Sequence, residues 1–276
     1  MASVIIPAHQ EESVIGRCLD TLLEGADPGV LEVIVVANGC TDGTAEVVAR
    51  YGQRVRLRQL SVGSKTAALN AGDDMTSTFP RIYLDADVEL SFQAARAVIA
   101  CLDSRDPLLA SPRRVLQVNG ATRPVKWFLR AWEALQAARR ESIGSGVYAL
   151  NQAGRARFER FPDVIGDDRF VHGLFEAAEK RVAEAEVKVW PPRNLRELVK
   201  VRTRIVVGNM DHSPLQQVGP HRPPIPVQAR HVLRDPTAIA ALPLYLGVSL
   251  LVRLRARRRI KSADHHSWAR AERRVS

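Results

Sequence analysis

The stretch YLDADVEL, residues 83–90, puts two carboxylates, Asp85 and Asp87, one residue apart at the end of an apolar run. In an extended segment that spacing sends both side chains to one side, about 6–7 Å apart at Cα. Carboxylates this close repel each other and require a counter-ion, a shared proton or open water. A divalent cation such as Mg2+ or Mn2+ takes oxygen ligands, so one or both carboxylates could hold it while phosphate oxygens and water fill its other positions. The pair would then serve to neutralise a diphosphate. The plainer reading has Asp85 bonding to neighbouring backbone and Asp87 opening a solvated loop. In GSKTAALN, Lys65 is either a phosphate contact or a solvated charge, and Asn70 either orients a ligand or ends a helix. His9 reads as a packing or hydrogen-bonding residue, since no second histidine nearby supports a metal site.

Those side chains need rigid elements beneath them. SVIIPA reads as a short apolar strand ended by Pro7, and EESVIGRCLDTLLEG carries apolar residues at helical spacing up to Gly25. VLEVIVVA is almost continuously apolar, as a parallel strand covered on both faces would be. It stops at NGCTDGT, a turn in which Thr41 or Asp42 can cap the helix TAEVVARY. RVRLRQL, with basic residues at alternate positions, reads as a more exposed strand. RIYLDAD follows as a strand and SFQAARAVIACLDS as its helix, with Ser91 at the cap. Beyond residue 106 the rhythm loosens. LLASPRRVLQV suggests strand near a sheet edge, VKWFLRAWEALQAARR an amphipathic helix, and SGVYALNQAGRARF a strand leading into a turn and helix. DDRFVHGLFEAAEKR then reads as helix and AEVKVW as strand. The order predicts a doubly wound α/β sheet. Ligands of such sheets lie beyond the carboxyl ends of the strands, where residues 7–11, 37–42 and 85–87 all fall.

A chain of 276 residues, 46% hydrophobic, fits one large α/β domain or one with an elaborated end. Cys18, Cys40 and Cys101 show no metal-site spacing, which suits a reducing, cytoplasmic compartment. The opening MASVIIPAHQEE has no basic region before its short apolar run, which argues against a signal peptide. Neither GxGxxG nor GxxxxGK[ST] occurs in the first half, against the common dinucleotide and P-loop readings. The net charge of +10 is concentrated late, where RLRARRRIK follows the uncharged residues 236–252. As a helix those uncharged residues reach roughly 26 Å against a hydrocarbon core of roughly 30 Å, a marginal span. The segment reads either as a membrane-surface helix with a basic anchor for anionic lipid, or as a helix packed on the domain with a solvated tail. Nucleic acid is not an expected partner, because no aromatic residues interleave with the basic ones to stack bases.

Taken in order and spacing, VIIPAHQEESVIGRCLDTLL, VIVVANGCTDGTAEVVA, GSKTAALNAG and YLDADVEL resemble the nucleotide-sugar half of a family 2 glycosyltransferase, over approximately residues 3–208. That resemblance implies a GT-A fold, a doubly wound Rossmann-like mixed sheet flanked by helices. It implies that Pro7, Ala8 and Glu11 belong to the loop beside the nucleoside, with an adjoining base-binding role around Ala37 and Asn38. Asp85 and Asp87 match the DxD that engages the nucleotide sugar and metal, Asp87 being the more direct ligand. Ala37 stands where the family often has an aspartate that contacts uracil, so UDP is only the default nucleotide. His9 and Gln10 likewise replace the more usual Tyr and Asn.

Further along, GDDRF resembles the family's acidic pair at a helix start, where Asp168 matches the catalytic base and Asp167 its companion. A carboxylate beside an acceptor hydroxyl can take its proton as that oxygen attacks the anomeric carbon. Helix capping is the other role open to either aspartate. In RTRIVVG, Arg204 matches the arginine of the family's RW pair, with Ile205 in place of Trp. Arg204 would contact the leaving phosphate, or else form a salt bridge or face solvent. Ser145 and Gly146 either leave room for the acceptor or serve close packing.

The implied activity is metal-assisted, inverting transfer from a nucleoside-diphosphate sugar to an unidentified hydroxyl acceptor; a lipid-linked acceptor suits the apolar C-terminal sequence, and a small metabolite or a growing polysaccharide are the other readings. A nucleotidyltransferase and a noncatalytic carbohydrate-binding or scaffold protein are the competing readings. The expected organisation is a glycosyltransferase domain at 1–208, divided into a donor part at 1–105 and an acceptor part at 106–208. A proline-rich connector at 209–236 and a membrane-associating segment at 237–276 complete it. The expected location is cytoplasmic, peripheral at the inner face of the cell membrane.

Overall fold

The computed structural model describes residues 1–102, 107–136, 145–210 and 232–261. Strands β1 (Ala2–Ala8), β2 (Leu31–Asn38), β3 (Val55–Leu60), β4 (Arg81–Leu84), β5 (Leu109–Leu116), β6 (Val147–Leu150) and β7 (Lys180–Val189) form one sheet, ordered β3-β2-β1-β4-β6-β5-β7. The first four strands run parallel, β6 is antiparallel to both β4 and β5, and β7 is parallel to β5. The sheet is therefore mixed, as expected.

Alternation along the central strands fixes which helix covers which face. Val4, Ile6 and Ala8 of β1 and Val33 and Val35 of β2 share a cluster with Cys18, Leu19 and Leu22 of α1 (Ile15–Leu23). Their neighbours point the other way: Ile34 and Val36 pack on Ala68 and Ala71 of α3 (Lys65–Asp73). The alternating basic residues of β3 match its place at the edge of the sheet. The expected cap at Ser91 is present, its Oγ accepting from the Ala94 N–H at the start of α4 (Phe92–Ala100), and Ser64 Oγ likewise accepts from the Ala67 N–H. Helix α3 lies very close to the sheet, since a Cβ at Gly72 would collide with Ile5 of β1.

Three expectations need correction. Strand β4 stops at Leu84, so Asp85 and Asp87 occupy a turn, in which the Val88 N–H donates to the Asp85 carbonyl at 3.1 Å, and strand alternation does not orient them. Strand β1 does not end at Pro7 but runs through it to Ala8, with Pro7 in register with Val36. The helix expected across DDRFVHGLFEAAEKR closes early: α7 is Asp167–Gly173, a 3-10 turn spans Ala177–Glu179, and β7 begins at Lys180. A capping box between Glu176 and Glu179 fixes that turn, and Lys180–Ala183 are taken up by pairing with β5.

The described chain forms two compact units. The first comprises the sheet, α1, α2 (Thr44–Ala49), α3, α4, α6 (Gln152–Arg155) and α7. The second contains α5 (Arg123–Gln136), α8 (Leu195–Met210) and α9 (Pro236–Lys261), with α9 packed on both other helices. Helix α9 buries Ala238, Ala241, Val248, Val252 and Ala256, a stripe at helical spacing, while Ile239, Leu246, Leu250 and Leu254 on the opposite side stay exposed. It is long and apolar enough to cross a membrane, and Pro243 does not interrupt it. The Asp235 carboxylate caps its start, accepting from the Thr237 and Ala238 N–H groups and pairing with Arg130 at 2.7 Å. Most of the expected proline-rich connector, residues 211–231, lies outside the described residues, as does the tail at 262–276.

Candidate active site

Asp85 leaves β4 with its N–H donating to the Gly146 carbonyl at 2.8 Å. Gly146 has φ +72°, and a Cβ there would come within 2.7 Å of Val88 Cγ2 and 3.1 Å of Asp85 Oδ2. The glycine thus makes room for the Asp85 carboxylate itself. Lys65, the first residue of α3, reaches that carboxylate: Nζ lies 2.6 Å from Asp85 Oδ1 and 2.7 Å from Asp167 Oδ1. Asp167, buried in the first turn of α7, also accepts a hydrogen bond on Oδ2 from the Tyr148 hydroxyl at 3.0 Å. One ammonium therefore joins the DAD turn to the GDD helix start, across separations of 20 and 102 residues.

The electrostatics follow from this crowding. Burial, together with the charges of Asp167 and Asp87, pushes the Asp85 carboxyl up to about 6 even though Lys65 opposes the shift. Burial also pulls the Lys65 ammonium towards neutrality, but Asp167 and Asp85 outweigh it and the net shift is upward. Tyr148 stacks on Tyr83 with ring centroids 5.0 Å apart, the two being direct partners across β4 and β6. The Tyr83 hydroxyl donates to Asp73 Oδ1 at 2.8 Å, and Asp73 is held by Arg81 at 2.6 Å and Arg155 at 2.9 Å. Burial first, and then the facing aspartates, raise both phenols well above their ordinary range.

Asp168 is half-buried, and its Oδ1 accepts the Arg169 N–H at 2.7 Å. Asp167 and Asp168 both occupy the first turn of α7, where the helix dipole favours negative charge. Pro7 and Ala8 are buried strand residues, a correction to the expected loop position, and the loop proper begins at His9. The His9 ring Nδ1 lies 2.6 Å from the Asn38 carbonyl oxygen. Asn38 is fully buried, with Nδ2 donating to the Ala8 carbonyl at 2.8 Å. The Glu11 N–H donates to Thr44 Oγ1 at 2.8 Å, and Gln10 Oε1 accepts from the Thr41 N–H at 2.8 Å, bracing the first loop on the second. Asn70 clamps the backbone of Phe161 in both directions, at 3.0 and 2.8 Å. Arg204 lies half-buried on α8 of the second unit.

Thus Lys65, Asp85 and Asp167 come together directly, with Asp87 and Asp168 contributing charge to the same cluster. Pro7, Ala8, Glu11 and Asn38 gather at the ends of β1 and β2. Sequence reasoning missed Tyr148 as the partner of Asp167; a tyrosine within the apolar strand VYAL, whose hydroxyl needs a partner once buried, was the available signal. Among the described residues no three His, Cys, Asp or Glu side chains form a ready-made cation cage. The DAD turn and the GDD helix start bring the carboxylates of Asp85, Asp87, Asp167 and Asp168 around one lysine, an excess of negative charge that a hard cation would take up. Asp85 and Asp87 therefore fit a divalent cation whose other ligands come from a diphosphate and water.

Comparison with known proteins bears on the family and the fold. The glycosyl transferase family 2 model matches residues 3–160. The validoxylamine A glucosyltransferase of Streptomyces hygroscopicus subsp. limoneus is 30% identical over 105 residues, 36% of this chain and only 23% of that protein's length. A mannosyltransferase from Pyrobaculum calidifontis, in complex with GDP-Man and Mn2+, superposes with a TM-score of 0.60 at 22% identity, covering 94% of this chain and 80% of its own. TarS of S. aureus, in complex with UDP-GlcNAc, gives 0.54 at 15% identity, with coverage of 95% and 83%. Glucosyl-3-phosphoglycerate synthase of Mycobacterium tuberculosis, with Mn2+, UDP-Glc and phosphoglyceric acid, gives 0.53 at 19%, with coverage of 75% and 78%. At these identities the three structures share a fold with this chain. The family match runs from β1 past α6, over more than half of the sequence, and on that ground the chain belongs to glycosyl transferase family 2 and its mixed sheet is of the GT-A type.

Proposed function

We propose that this protein moves a sugar from a nucleoside-diphosphate sugar to a hydroxyl acceptor, inverting the anomeric centre, with a divalent cation held by Asp87 and Asp85. The observation that carries this reading is the meeting of the DAD and GDD aspartates on one lysine, which puts a donor-side and an acceptor-side carboxylate in a single charge cluster. Pro7, Ala8, Glu11 and Asn38 form the nucleoside edge, and Lys65 contacts the diphosphate. Lys65 and Tyr148 hold Asp167 as a positioning residue, and Asp168, beside it in the first turn of α7, takes the acceptor proton. The cation, when bound, offsets the charge that builds on the departing diphosphate. Relatives in fold carry GDP-Man with Mn2+ and UDP-Glc with Mn2+, which supports the donor class and Mn2+, with Mg2+ as the alternative. UDP remains the default nucleotide. A panel of nucleotide sugars, scored for release of the nucleoside diphosphate with Mn2+, with Mg2+ and with chelator, tests the reading. Release indifferent to the metal, or pyrophosphate release from a nucleoside triphosphate instead, would overturn it.

The acceptor is lipid-linked in this reading, and the enzyme works at the cytoplasmic face of an anionic membrane. What supports this is the outward side of α9, apolar from Ile239 to Leu254 and followed by the exposed Arg255, Arg257 and Arg258. Trp127 on α5 is also exposed, as expected of an aromatic residue at a lipid interface. Because α9 already buries one stripe against α5 and α8, it lies on the surface instead of spanning.

A further inference from the structure

We infer that the Lys65 ammonium is the resident counter-ion of the donor site and competes with the divalent cation for it, so that bare metal binds weakly until a diphosphate draws the lysine away. The inference rests on the metal-assisted reading above and adds an order of events to it. Three observations lead there.

The first is position. Lys65 opens α3, where the partial positive charge of the helix N-terminus disfavours a cation. Nothing about the helix itself asks for lysine there, since Ser64 already supplies the cap. The second is contact. Nζ sits at 2.6 and 2.7 Å from two carboxylates of different motifs, one of them on the DAD turn proposed to hold the metal. A cation approaching Asp85 therefore meets an ammonium already bound to one of its oxygens. The third is mounting. Gly72 lets α3 sit hard against β1, and Asn70 fixes the same helix to the backbone of Phe161, so the base of the Lys65 side chain is held while its long stem can swing.

Displacing one ammonium from a carboxylate pair costs a cation much of the Coulomb attraction that the pair offers. A diphosphate reverses the balance, because its oxygens give the released ammonium new partners while completing the coordination of the metal. Lys65 then changes partner from Asp85 and Asp167 to phosphate within the same small volume. Bare cation and bare nucleotide each bind poorly on this account, and the two bind well together.

The test is a Mn2+ titration without donor, following free Mn2+ by its paramagnetic resonance signal, on the wild type and on Lys65→Met, with Lys65→Gln as a second variant that retains a hydrogen-bond donor. Thermal melts and circular dichroism establish folding. Either folded variant should bind bare Mn2+ about tenfold more tightly than the wild type, and the gain from adding UDP or GDP should shrink by a similar factor. Asp87→Ala should abolish the tight binding in the Lys65→Met background. Unchanged or weaker bare Mn2+ affinity in both variants, while the wild type still binds nucleotide in a Mn2+-dependent way, would overturn the competition and leave the metal-assisted reading standing. Absence of any Mn2+-dependent nucleotide binding by the wild type would overturn both.

Discussion

The two units solve opposite problems with charge and apolar surface. In the first, ionised groups are drawn inside and matched: Asp73 lies between Arg81 and Arg155, and Lys65 lies between Asp85 and Asp167. In the second, apolar residues are turned outward, with Leu246 and Leu250 each 60% exposed on α9 and Trp127 52% exposed on α5. A buried charge is stable only with its partners, so the first unit is tuned for strong, directional interaction with a charged ligand. An exposed apolar stripe gains only when something non-directional covers it, which suits a bilayer. The contrast matches the proposed division between sugar transfer and membrane attachment within one chain.

The sharpest way to break that contrast is to remove a charge from the inside. Asp87→Ala should lower metal-dependent transfer by roughly 10³-fold or more, the loss of several kcal/mol of charge stabilisation. Steady-state kinetics over a Mn2+ series checks it, and an unchanged metal dependence would take Asp87 out of the role. Asp168→Asn keeps the shape but removes the basic carboxylate, so transfer should fall by roughly 10²-fold while donor affinity is kept. Near-native transfer by the folded variant would remove the base assignment.

A milder test uses a charge that the first unit keeps out. His172 is buried, and its Nδ1 has no hydrogen-bond partner among the described residues. Burial, with a smaller push from Lys180, lowers its pKa to about 3. The unfolded chain takes a proton near pH 6.5 that the folded chain refuses until about 3, so stability is lost as the pH falls through that window. The slope rises from about half of 1.4 kcal/mol per pH unit near pH 6.5 to about 1.4 kcal/mol per pH unit well below it. Urea denaturation at pH 7, 6 and 5 should show this slope, and His172→Leu should flatten it; equal slopes would exclude His172 as the source. The smallest effect belongs to the second unit. Replacing Leu246, Leu250 and Leu254 together by serine should cut sedimentation with anionic liposomes several-fold without changing turnover of a soluble acceptor. Added salt should weaken only the part due to the arginines. Equal partitioning of the two proteins would end the membrane assignment.

Much of the sheet was legible because β1 and β2 are short, Val- and Ile-rich and almost continuously apolar, as strands covered on both faces are. The turn at Asp85–Asp87 was not. RIYLDAD contains no glycine or proline to close it, and the strand ends where its antiparallel partner does, at the Leu84–Val147 pair. The boundary between α7 and β7 was hidden for a related reason. KRVAEAEVKV is rich in helix formers, yet edge pairing with β5 overrides local preference. At the site, the two aspartate motifs and their order could be read directly. The bridge could not, since no pattern around Lys65 points to partners 20 and 102 residues away.

The stacked Tyr83 and Tyr148 carry a practical consequence. Each phenol donates to a carboxylate at a different end of the pair, Asp73 on one side and Asp167 on the other, and each is held protonated far beyond its usual range. Like Tyr51, whose phenol burial and Asp20 also raise, these two of the chain's four tyrosines stay dark in an alkaline titration followed by ultraviolet absorbance while the sheet is closed. Their phenolate signal appears only when β4 and β6 part, which makes the pair a built-in optical reporter of the junction beneath the site.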